Sequence, residues 1–153
     1  MKLREKLLAP GVALAAGLLA VCLLAAGLWP TSASAGANMA AAGAAATREA
    51  NACGAQFSGG PLYTCLGKVI DKLGSRIEGD GQLGASLAAQ MRTAAAAIRG
   101  ANKGVAVAAL GQVRSAIAGA ISRMKGKGKD DTPGMNNMSS AISATIRLIQ
   151  AKG

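Results

Sequence analysis

The side chains best equipped for chemistry in this chain are Cys53 and Cys65. Eleven residues separate them, so they do not form the Cys-x-x-Cys pair of a dithiol redox motif, and neither has a basic neighbour in sequence. An even pair in an oxidising compartment favours a structural disulfide. Closing that loop contributes about 3 kcal/mol in the chain-entropy model. The third cysteine, Cys22, lies in an apolar stretch, and Leu19-Ala20-Val21 lacks the small residue expected just before a lipidated cysteine.

Other catalytic equipment is sparse. The chain has no histidine, and its carboxylates fall mostly at expected helix ends or in linkers. No Cys, Ser or Thr stands beside a plausible base, and the His, Cys or carboxylate clusters of a hydrolytic metal site are missing from the sequence. These features predict a protein that is not an enzyme and takes no metal or cofactor. Met124, Met135 and Met138 could offer thioethers to Cu(I), but methionine more often fills gaps in an irregular core, which is the expectation here. The run Lys125-Gly-Lys-Gly-Lys-Asp-Asp-Thr-Pro-Gly134 lacks the Gly-Lys-Ser/Thr order of a P-loop, so nucleotide binding is not expected.

Charge is the stronger signal. The formal net charge is +10, from 17 Lys and Arg against 7 Asp and Glu. Such a balance favours anionic partners: lipid headgroups, acidic polysaccharide, or nucleic acid without specificity. The candidate contacts are Arg92, Arg99, Lys103, Arg114, Arg123, Lys125, Lys127 and Lys129. The competing explanation is that these cations only keep an alanine-rich protein soluble.

The elements that must position these groups begin with Met1 to Ala35. Lys2, Arg4 and Lys6 precede an apolar run from Leu7 to Trp29, followed by Pro30-Thr-Ser-Ala-Ser-Ala35. That is the layout of a secretory signal peptide, residues 1–35, with cleavage expected after Ala35. The apolar run is also long enough to span a bilayer, so the alternative is an uncleaved helix tethering the protein to the inner membrane. The expected location is therefore periplasmic or secreted.

Residues 36–60 form an alanine-rich segment and a cysteine-bounded turn. Met39 is the one large apolar residue from Gly36 to Ala52, so a helix is locally favoured but has no obvious stripe to dock, and a frayed spacer is expected. Residues 61–153 read as a helical domain. Leu62, Leu66, Val69, Ile70, Leu73 and Ile77 follow helical spacing, with Lys68, Asp71, Lys72 and Arg76 on the other side. Leu83, Leu87, Met91 and Ile98 mark a second helix; Leu110, Val113, Ile117 and Ile121 a third; Met135, Met138, Ile142, Ile146 and Ile149 a fourth. Gln90-Met-Arg-Thr-Ala94 returns as Gln112-Val-Arg-Ser-Ala116. Residues 125–134 predict a flexible linker. Arg92, Arg99, Lys103, Arg114 and Arg123 interrupt the apolar stretches, arguing against membrane spans.

Cys53, Gly59-Gly60, Cys65-Leu66 and the lysine-bearing helix that follows resemble the cysteine-rich repeat of some exported bacterial and Golgi proteins. The chain has one glycine fewer than that repeat, and no cysteine follows Leu73-Gly74-Ser75. The resemblance covers about residues 53–77. It implies a Cys53–Cys65 bridge across a helical hairpin and carries no common enzymatic activity.

The expected fold is all-α: a small antiparallel bundle of three or four amphipathic helices after a signal peptide. The expected function is that of an exported, non-catalytic structural or protein-interaction protein of the bacterial envelope, acting on a protein partner or on itself. The alternative is a cationic envelope-binding or membrane-active protein that contacts anionic lipid or polysaccharide. Alanine buries little surface, and each fully buried Leu, Ile, Val or Met contributes only about 1.5–3 kcal/mol. Such a thin core points to modest stability or to a partner that completes it.

Overall fold

Helical periodicity in the sequence breaks at Phe57-Ser58, at Glu78-Gly79-Asp80 and at Gly100-Ala101-Asn102, where turn formers and cap residues cluster. A computed structural model describes residues 33–126 and 132–153, and between those breaks the chain is helical. The elements are α1 (Ala33–Gln56), α2 (Gly59–Ile77), α3 (Gly81–Arg99), α4 (Lys103–Lys125) and α5 (Thr132–Lys152). No strand occurs among the described residues. The expected signal peptide and anchor alternative fall outside the described residues up to Ser32, as do residues 127–131 of the expected linker.

Successive helices reverse direction. Between α2 and α3, Gly67 lies against Ala95 while Gly74 lies against Ala88, so the numbers run oppositely. Between α1 and α5 they rise together: Gly134 meets Met39 and Ala40, Gly43 meets Asn137 and Met138, and Gly54 meets Leu148. Thus α1 and α5 are parallel neighbours. They close a ring in which each helix packs on the ones before and after it, while α2 also touches α5 across the interior.

Among the described residues the bundle has five helices rather than the three or four expected from sequence. The additional helix is α1, whose alanine-rich segment is docked rather than left as a spacer. It buries Met39, Ala42, Ala46, Ala50 and Cys53 along one face. A short side chain contributes little transfer energy but lets two backbones approach, which increases dispersion contact along the whole seam. A Cβ on Gly43 would stand 2.6 Å from the backbone nitrogen of Met138. Ser32–Gly153 forms one compact unit, so α1 belongs to the same body as the helices after residue 60.

The interior is filled by Leu62, Leu66, Ile70 and Leu73 of α2, Leu87, Met91 and Ile98 of α3, Leu110 and Ile117 of α4, and Met135, Met138 and Ile142 of α5. Met135 and Met138 pack within this core, while Met124 is half-buried at its edge. The echoed phrases occupy equivalent positions: Met91 and Val113 are buried, Arg92 and Arg114 exposed. By length and composition α4 could cross a membrane, with a mean hydropathy of 1.5. In the bundle its apolar residues Ala106, Leu110, Val113, Ile117 and Ala120 face inward at heptad-like spacing.

Candidate functional site

The two cysteines meet where α1 ends and α2 begins. Cys53 is buried on the last turns of α1, and Cys65 is half-exposed on α2. Their sulfurs are bonded, with the Cα atoms 5.8 Å apart. The turn between the helices makes this possible, because Gly59 opens α2 with φ +59°, a left-handed value that glycine adopts without strain. The bridge fixes the spacing of α1 and α2 at that end.

Below the bridge the two helices hold a cleft of about 310 Å³, lined by Ala52, Cys53, Cys65, Val69, Lys68 and Lys72 among others. A second cleft, of about 560 Å³, lies further along the same helix pair against Ala41, Ala42, Ala45, Arg48 and Arg76. Glu49 stands between them. It accepts hydrogen bonds from Lys72 Nζ at 2.9 Å and from Arg76 at 3.3 Å. The Lys72 hydrogen bond holds its carboxyl below the ordinary value of 4.5, partial burial opposes that shift, and the charges of Lys72 and Arg76 add to it. Glu49 is therefore ionised at neutral pH. Against it stand Arg48, Lys68, Lys72 and Arg76, so the groove keeps a cationic surplus. Arg48 and Lys68 have no carboxylate partner among the described residues.

This groove differs from the basic set expected from sequence. Arg92 pairs with Glu78, and Arg99 with Asp71 at 2.9 Å, so both are partly neutralised on the α2–α3 side. Lys103 donates to the backbone carbonyl of Gln150 at 2.7 Å and ties α4 to the end of α5. Arg114, Arg123 and Lys125 are exposed along α4. Lys127 and Lys129 lie outside the described residues. The expected contacts are thus spread over several faces rather than gathered on one.

Sequence reasoning missed Arg48, Lys68, Lys72 and Arg76 as a group. Lys68, Lys72 and Arg76 recur every fourth residue, which places them on one stripe of α2. That stripe was legible; its opposition to Arg48 required the docking of α1, which an alanine segment does not announce.

Chemically, the groove offers small apolar surface, positive charge at its rim and a disulfide at one end. The fully buried polar side chain Thr145 is committed to the Ala141 carbonyl on its own helix, at 2.9 Å. No family model matches the chain, and neither the curated proteins nor the solved structures give a match, so its function has to be argued from these residues and their geometry.

Proposed function

We propose that this is an exported, non-catalytic helical protein of the bacterial envelope that works by binding another protein through its helix faces. The observation that carries the reading is the disulfide-pinned pair α1 and α2, which presents a preformed groove of small residues with charge at its edges. The oxidised pair favours a compartment outside the reducing cytoplasm. Export would be directed by residues 1–35, and cleavage after Ala35 would leave every packed residue named above on the mature chain. Small side chains on a helix surface permit close approach of a further helix, and a rigid surface loses little freedom when it docks one.

A second reading has a specific observation in its favour. Arg114, Arg123, Lys125 and Arg147 are exposed with no ion-pair partner among the described residues. This surplus would suit anionic lipid or polysaccharide, with binding that falls as salt screens it. Co-sedimentation with anionic vesicles at low and high salt separates the readings. Salt-sensitive pelleting would favour the envelope-surface role; its absence at low salt, with crosslinks to a protein in cells, would favour protein binding.

A further inference from the structure

We propose that the α1–α2 groove seats an acidic amphipathic helix of a partner protein. This rests on the protein-binding reading above and names its surface. From Asn38 to Gln56 the α1 side of the groove runs about 27 Å at the helical rise of 1.5 Å per residue. The α2 side, from Cys65 to Arg76, runs about 17 Å, so the stretch walled by both helices is about three helical turns.

Its floor suits a helix. Ala41, Ala45 and Ala52 recur at helical spacing on the unburied side of α1, and Val69 faces them from α2. None of these projects far, so a third helix can approach both walls at these positions, while midway it rides over the Glu49–Lys72–Arg76 ion pairs that cross between them. The disulfide ties the walls together at one end, with the Cα atoms 5.8 Å apart, and the Glu49–Lys72–Arg76 cluster ties them again midway. The groove therefore exists before any partner arrives.

Its charge selects the partner. Lys68 on one wall and Arg48 on the other lack carboxylates, so a helix with Asp or Glu on both flanks and small apolar residues between them is complementary. A second copy of this chain is a poor occupant, because its Glu49, Asp71 and Glu78 are already paired and its groove carries the same surplus cations. A sugar chain would find no aromatic platform, since Phe57 and Tyr63 are not among the lining residues. A flat bilayer would meet the helix crests rather than the recess between them.

The test uses the protein purified from cells with its bridge intact. It is titrated with a synthetic helical peptide carrying Glu along two flanks of an alanine and leucine face, and binding is followed by backbone amide shifts. A second peptide has the same composition, with its Glu residues distributed around the helix. The expected result is perturbation centred on Ala45, Arg48, Ala52 and Lys68, with at least tenfold weaker binding by the second peptide. The double substitution Arg48→Ser with Lys68→Ser should weaken binding at least tenfold, whereas Arg114→Ser with Arg123→Ser should leave it unchanged. Equal binding of the two peptides, or equal loss in both variants, would reduce the effect to net charge and overturn the proposal. Polygalacturonate or anionic vesicles perturbing the groove while the peptide does not would also overturn it.

Photo-crosslinkers placed at Ala45 and at Gly119 in cells separate this proposal from the broader one. Protein adducts at Gly119 alone overturn the groove but keep the protein-binding reading. Adducts at neither position overturn both.

Discussion

At the scale of single residues, two positions expose the physics most clearly. Ala101 sits between α3 and α4 with φ +55°, a left-handed conformation in which its Cβ crowds the backbone. Its amide donates to the Ile98 carbonyl at 3.0 Å, and Asn102 then caps α4 by accepting from the Val105 amide at 3.1 Å. The cap fixes the geometry that strains Ala101. Replacing Ala101 with glycine should raise stability by about 1 kcal/mol, read as a higher denaturant midpoint at unchanged slope. Glu49 gives a prediction with a sign. Its carboxyl is held below its ordinary value by Lys72, so its stabilising contribution is fully present above that value and is lost as pH falls through the lowered one. Glu49→Gln should therefore cost up to about 1 kcal/mol at neutral pH, given the exposure of the pair, and the difference from the parent should vanish in acid. Urea titrations at both pH values check this.

At the scale of elements, the seams are governed by what is small as much as by what is apolar. The Leu and Ile stripe of α2 was legible because its spacing and its side-chain size agree. The face of α1 was not, because alanine marks both a buried seam and an exposed helix surface, and only the partner distinguishes them. Gly43 and Gly119 illustrate the ambiguity: the first lies against the α5 backbone, the second faces open space. Gly43→Leu should destabilise by about 1–3 kcal/mol through overpacking. Gly119→Ala should be neutral or stabilise by up to about 1 kcal/mol through helix propensity. Thermal melts of the two variants test the contrast. The bridge is the other element-scale constraint. Substituting both Cys53 and Cys65 with serine should cost about 2–4 kcal/mol, measured by denaturant unfolding against the oxidised parent.

At the scale of the whole molecule, the described residues bury a modest set of large side chains by arranging five helices so that each contacts its two neighbours in the ring and α2 also meets α5. An odd number of alternating helices in a ring leaves one parallel pair, and α1 with α5 fills that place through its close glycine and alanine contacts. The helical class and the cysteine bridge could be read from sequence because periodicity and the nearness of Cys53 to Cys65 are local signals. The groove could not, because it is created by the approach of two segments, one of which has almost no hydrophobic pattern. The proposed function requires this body to work oxidised and outside the cytoplasm. Intact mass of the protein recovered from separated cell fractions tests it most directly. The expected result is a chain beginning at Gly36 in the periplasmic or extracellular fraction, lighter by two hydrogens than its reduced form. A full-length chain with both thiols free in the cytoplasmic fraction would contradict it.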